Sequence, residues 1–201
     1  MNSKHLIDAR HEFALVYLQD AAFWMSDFTS EPSKIVTILE DMSSCVPTSS
    51  FDMSSIFEVI QQNVRLPSVR SNPHVIPPPY IVRTILLYGR SHCIPTFSTT
   101  KAQLELTSSP YFFMDAYYLH QVPSDENKCE AIFDVLCSLD RTGLSYVNEV
   151  SRNPTKLYDC MAQFLPHPLQ RPIQRHACYD IEDQATPLTS CTSGPPAVPT
   201  S

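Results

Sequence analysis

The sequence predicts an α/β protein built on a doubly wound, mainly parallel sheet, and three observations carry that expectation. Apolar runs alternate along the chain with amphipathic helical patterns, an order that favours parallel strands joined by right-handed crossovers. Three prolines at 77–79 feed the longest aliphatic run, Tyr80-Ile81-Val82-Arg83-Thr84-Ile85-Leu86-Leu87-Tyr88. A second run, 111–119, is rich in Tyr and Phe. Near-continuous apolar runs fit parallel strands covered by helices on both faces, although periodicity alone leaves a buried helix open for 80–88.

Taken in order, 1–10 reads as the end of a helix with Leu6 and Ile7 as its strong apolar residues. Phe13-Ala14-Leu15-Val16-Tyr17-Leu18 reads as a strand, turning at 20–22 into a brief antiparallel partner through Phe23-Trp24-Met25. Ser30-Glu31-Pro32 is a helix start, with a hydroxyl to cap, an acid in the first turn and a proline where no N–H is needed. Ile35, Val36, Ile38, Leu39 and Met42 then form the expected buried stripe. Asp52 is placed to cap a second helix whose face is Met53, Ile56, Phe57, Ile60 and Val64.

The proline-rich loop 66–79 delivers the chain to the strand at 80–88, expected to be the most buried of all. A short helix follows at 101–106, then the strand 111–119. A helix carries Ile132, Phe133, Leu136 and Leu139, Thr142-Gly143 turns the chain, and 144–150 is the last strand. Asn153-Pro154 starts a final helix with Leu157, Tyr158, Met161, Phe164 and Leu165 inward. These elements make one domain over 1–165, an extended proline-containing segment over 166–185, and a Pro/Ser/Thr-rich disordered tail over 186–201.

Composition excludes several functions. A formal charge of −7 opposes nucleic-acid phosphates and acidic membranes, and no Lys/Arg run offsets it. Three glycines in 201 residues, too far apart to combine, supply no phosphate-binding loop, dinucleotide fingerprint or Gly-x-Ser-x-Gly elbow. The seven cysteines form no CxxC pair and their number is odd, which fits reduced cytosolic or nuclear thiols. No apolar run approaches the roughly 20 residues that span a bilayer.

The seven histidines show no HExxH or zinc-spaced Cys/His doublet, so neither a metal site nor a cofactor is expected. Cys93 or Cys178 could serve a cysteine hydrolase only with a distant histidine, which spacing does not supply. Asp115 interrupts an aromatic strand and needs a donor such as Arg83 or a backbone amide. The interaction candidate is Pro166, His167, Pro168, Leu169, Gln170, Arg171 and Pro172, read either as an extended docking segment or as a solvated linker. In the docking reading Leu169 is an apolar anchor and Arg171 a charged fork.

Several words stand in one register along the chain: His11-Glu12-Phe13-Ala14-Leu15-Val16, Ile60-Gln61-Gln62, Pro77-Pro78-Pro79-Tyr80-Ile81-Val82-Arg83-Thr84-Ile85, Ser109-Pro110-Tyr111-Phe112-Phe113, Ser138-Leu139-Asp140, Ser145-Tyr146 and His167-Pro168-Leu169-Gln170-Arg171-Pro172. Together they resemble the MERIT-forty family, the von Willebrand A-like (Rossmann-like) scaffold subunit of the BRISC and BRCA-A deubiquitinase complexes. The resemblance covers about residues 1–180. It implies a non-catalytic adaptor, present in cytoplasm and nucleus, for a metalloprotease-type deubiquitinase acting on lysine-63-linked chains. The implied close partner is a subunit of ubiquitin-conjugating-enzyme-like folds, with the deubiquitinase and its own scaffold reached through it. The segment 166–172 is the implied docking element, and the nuclear form would support the DNA-damage response.

The resemblance further implies that the chain opens near the end of the family fold's first helix, lacking the first strand and most of that helix, as a truncated gene model or splice form would. The Asp-x-Ser-x-Ser metal motif belongs to that strand. A metal-dependent von Willebrand A adhesion or ligand-binding module is the alternative function. Without a neighbouring first strand, either 13–18 closes against 80–88 or the edge of 80–88 stays open.

Overall fold

A computed structural model of the chain describes residues 1–42, 48–69, 76–140, 143–151 and 153–177. The expected tail at 186–201 lies outside them. The elements are α1 (Asn2–Ile7), β1 (Phe13–Leu18), β2 (Ala22–Thr29), α2 (Pro32–Asp41), α3 (Ser54–Asn63), β3 (Val82–Tyr88), α4 (Lys101–Thr107), β4 (Phe112–His120), α5 (Cys129–Cys137), β5 (Val147–Ser151) and α6 (Pro154–Ala162), followed by a 3₁₀ turn at Gln174–His176. This is the α/β order the sequence predicts.

Local chemistry sets the helix starts. Thr100 Oγ1 accepts from Gln103 N at 3.2 Å to open α4, and Asn153 Oδ1 accepts from Lys156 N at 3.2 Å to open α6, with Pro154 in its first turn. Asp52 Oδ1 accepts from Ser54 N at 3.0 Å at the start of α3. The expected Ser30 cap of α2 is not made: Glu31 holds that position without a side-chain cap, and Pro32 in the first turn fixes the entry. Gly143, with φ of 70°, makes the turn before β5 that a side chain would strain.

β3, β4 and β5 form a parallel sheet in that order, in register from Val82↔Phe112 to Tyr88↔Tyr118 and from Ala116↔Val147 to His120↔Ser151. Helices lie on both faces, although on the second face they cover β4 and β5 and leave Ile85 and Leu87 of β3 open. On one side Leu86, Tyr88, Met114 and Tyr118 pack with Phe57 and Ile60 of α3, Leu106 of α4, and Ile132 and Leu136 of α5. On the other, Tyr117 and Val150 pack with Tyr146 and with Cys160 and Phe164 around α6. The central strand is β4, whose residues are all buried except half-buried Leu119.

β1 and β2 form a separate antiparallel pair, with the hairpin predicted at 13–25 extended to Thr29 and register irregular near Leu15. Among the described residues β1 does not pair with β3. Between them runs an open trough of about 2590 Å³, lined by both strands together with Ile35 and Leu39 of α2 and Met42 just beyond it. This resolves the two alternatives for 13–18 in favour of the open edge. It also corrects the expectation that 80–88 is the most buried strand: β3 is an edge strand, and Ile85 and Leu87 are 43% and 57% exposed. The α2 stripe is corrected for the same reason, since only Ile35 of its five residues is buried and Leu39 is open to the trough.

The hairpin is tied to the rest by one backbone bond, Asp52 N donating to Asp20 O at 2.8 Å, and by side chains. Ala22 N donates to Ser55 Oγ at 2.8 Å, and Arg90 Nη2 donates to the carbonyls of Leu18 and Gln19 at 3.1 and 2.6 Å. The Arg90 guanidinium lies over the Phe51 ring, 5.3 Å from its centroid.

Candidate functional site

The polar centre of the molecule is Asp115, wholly buried in the middle of β4. A carboxylate deprived of water must find cations or amide donors, and four bonds meet it. Arg83 Nε of β3 donates to Oδ2 at 2.6 Å, the donor named from the sequence. Tyr146 N donates to Oδ1 at 2.7 Å. Arg171, 56 residues away, closes the set with Nη1 to Oδ2 at 3.0 Å and Nη2 to Oδ1 at 2.5 Å. Its guanidinium stacks over the Tyr146 ring, 4.0 Å from the centroid, and Nη2 also donates to Leu144 O at 2.9 Å.

Arg171 is therefore not the exposed fork expected from the sequence. Its side chain is 1% exposed and its fork grips the interior carboxylate. The physical reason is that Arg83 and the Tyr146 amide give each oxygen of the buried carboxylate one donor, and a second guanidinium adds a bidentate, charge-assisted pair to the acceptor sites that remain. Burial lowers the pKa of Arg83 from its ordinary value, against the opposing pull of Asp115.

The segment 166–172 is a turn, which corrects its expected extended form. Gln170 N and Arg171 N both donate to His167 O, at 2.8 and 3.1 Å, and Leu169 N donates to His167 Nδ1 at 3.3 Å. Those internal bonds supply partners that an extended proline segment would leave to water. Pro168 is buried, Pro166 and His167 are half-buried, Gln170 and Pro172 are exposed, and Leu169 is 49% exposed at the apex. Desolvation, then Lys4, His11 and Arg83 nearby, hold the His167 imidazole below its ordinary pKa.

Both arms of this turn are fastened. On the near side Arg83 Nη1 donates to the carbonyls of Phe164 and Pro166, and Lys4 Nζ of α1 donates to Leu165 O at 3.1 Å. On the far side Tyr146 Oη donates to Pro172 O at 2.6 Å. Gln174, unremarked in the sequence, accepts from Val147 N at 2.8 Å and donates to Val147 O at 2.9 Å, so its amide pairs with the open edge of β5 as a neighbouring peptide would. An amide at fixed distance from a predicted last strand is a weak signal, and nothing in the spacing marks it.

The inward face expected of α6 is corrected in part. Phe164 is buried and Leu157 half-buried, but Tyr158 is 75% exposed and Met161 and Leu165 are open. Cys160 fills the interior position instead.

The other sequence candidates do not assemble. Cys93 is buried in the larger core, and Cys178 lies outside the described residues. His120 Nε2 stands 3.8 Å from Glu149 Oε2, beside a cavity of about 370 Å³ that also touches Cys129. Among the described residues no group of three His, Cys, Asp or Glu is arranged to hold a metal ion. What the fastened turn can do chemically is present an apolar side chain on a fixed frame.

No family model matches the chain. Among curated proteins it is 42% identical over 197 residues to BRISC and BRCA1-A complex member 1 of Xenopus laevis, covering 96% of this chain and 60% of that protein. The protein of the same name from Homo sapiens is 43% identical over 195 residues, covering 92% and 58%. That from Mus musculus is 41% identical over 191 residues, covering 92% and 56%. The chain thus spans a little under three fifths to three fifths of the length of these relatives.

Proposed function

Because the chain belongs to the family of BRISC and BRCA1-A complex member 1, we propose that it is a non-catalytic scaffold subunit of a lysine-63-specific deubiquitinase complex of the BRISC or BRCA-A type. The observation that carries this reading is similarity sustained over at least nine tenths of the chain. Its close partner in this reading is the ubiquitin-conjugating-enzyme-like subunit, through which it reaches the metalloprotease deubiquitinase and that enzyme's scaffold. It works in cytoplasm and nucleus, the nuclear form serving the DNA-damage response.

Residues 166–172 are the docking element in this proposal. An exposed Leu169 on a turn fastened at both arms supports the assignment, since apolar anchors held on rigid frames concentrate binding energy. The buried Arg171 serves that element from within and does not touch the partner.

The test is recovery of the tagged, full-length protein from its own cells, with lysine-63-linked and lysine-48-linked tetra-ubiquitin as substrates. The expected result is co-purified cleavage confined to lysine-63 chains and abolished by a zinc chelator. A recovered protein without deubiquitinase subunits or activity overturns the proposal.

A further inference from the structure

We propose that Asp115 and Arg171 form a latch that positions the docking turn: a buried ion pair in the sheet sets the pose of Leu169 at the surface. This rests on the reading of 166–172 as the docking element.

The argument is geometric. The turn 167–170 is an arch with an exposed apex and two anchored feet. Arg83 touches both the carboxylate of Asp115 and the carbonyls of Phe164 and Pro166 at the near foot. Arg171, itself the far foot, grips the same carboxylate and the carbonyl of Leu144. One interior carboxylate therefore organises both feet, through cations on two different elements. Tyr146 joins the far side twice, as the ring beneath Arg171 and as the hydroxyl donor to Pro172 O. Gln174 then fixes the following residues to β5.

An untethered proline-containing segment would have to surrender its conformational freedom on binding, and that loss weakens association. Here the freedom is already surrendered in the folded chain. The fastening also explains why two arginines converge on one aspartate: a single pair would neutralise Asp115, whereas two cations fix two chain segments to one point. The partner chemistry this suits is a protein surface with an apolar pocket that accepts Leu169 in one fixed orientation.

The experiment uses the full-length protein and the purified ubiquitin-conjugating-enzyme-like subunit as probe, with affinity and amide hydrogen exchange measured on the same variants. Arg171→Lys keeps the charge but loses the bidentate fork. Asp115→Asn keeps the shape of the side chain but removes the charge that both cations grip, so it carries the test should Arg171→Lys fold poorly. Both are expected to lower affinity about tenfold, with faster exchange at 169–171 and unchanged far-UV dichroism. Leu169→Asp is expected to abolish capture without changing exchange.

If Asp115→Asn and any folded Arg171→Lys bind as the wild type does while Leu169→Asp abolishes capture, the latch is overturned and the docking element stands. Unchanged exchange at 169–171 in both loosened variants also overturns the latch. If Leu169→Asp binds normally, the docking reading falls and takes the latch with it.

Discussion

Asp115→Ala is expected to be the most destabilising single truncation among the residues that fasten the 166–172 turn. The substitution strands two guanidiniums whose side chains are only 11% and 1% exposed. Breaking one buried pair by removing a partner costs about 3–5 kcal/mol, and the abandoned Tyr146 N–H adds about 1–3 kcal/mol if no water replaces the carboxylate. The terms overlap, because a water admitted to one donor serves the others, so a loss of about 4–5 kcal/mol is expected. Against the 5–15 kcal/mol typical of a domain, that is a large fraction. Urea unfolding followed by far-UV dichroism reads it as a midpoint lower by about 2 M, for a slope near 2 kcal/mol per molar. A loss below about 1 kcal/mol would refute the reasoning, since it would mean that solvent reaches Arg83 and Arg171 at little cost.

Ile132→Ala in α5, fully buried among Leu136 and the β4 side chains, is expected to cost about 2–5 kcal/mol in the same assay. Asn153→Ala removes the cap of α6 and is expected to cost about 1 kcal/mol, read as faster exchange of its first-turn amides. The pH dependence of the turn follows from His167, whose folded pKa lies below its ordinary value near 6.5. The unfolded chain takes up the proton first, so the stability of the turn is full above about pH 6.5 and declines as pH falls through that value toward the folded pKa. The protection factor of the Leu169 amide, its exchange rate set against that of an unstructured chain at the same pH, is expected to fall between pH 7.5 and 5.5, because the imidazolium can no longer accept its hydrogen bond, and His167→Gln is expected to remove that dependence.

What the sequence made legible was whatever rests on near neighbours. The α3 face was readable because Met53, Ile56, Phe57 and Ile60 share one buried side, and the hairpin because two apolar runs flank a short polar turn. Position in the sheet was not readable. The aliphatic content of 80–88 suggested a central strand, yet aromatic β4 takes the centre and β3 the margin beside the trough. Tyr80, credited to the strand, instead donates its hydroxyl to Arg65 O at 3.0 Å. In α6, periodicity found a stripe but could not say how much of it the neighbours cover. The segment 166–172 stood out through its prolines, while the placement of Arg171 depends on Asp115, and a pair 56 residues apart leaves no local trace.

The trough has a consequence for how the chain comes apart. Backbone hydrogen bonds propagate cooperativity across a sheet, but no strand ladder crosses from β1 to β3 among the described residues; the hairpin communicates with the rest of the molecule through packing, Thr48, Ser55, Arg90 and one backbone bond from Asp52 N to Asp20 O. Such a junction divides a molecule into separately melting units. The lone tryptophan, Trp24, sits on β2, edge-on to Phe28, and so reports one unit only. Its fluorescence is expected to change at lower denaturant than amide protection in β4 is lost, so the midpoint shift expected for Asp115→Ala belongs to the transition of the parallel sheet, and coincident midpoints for the two probes would refute the division.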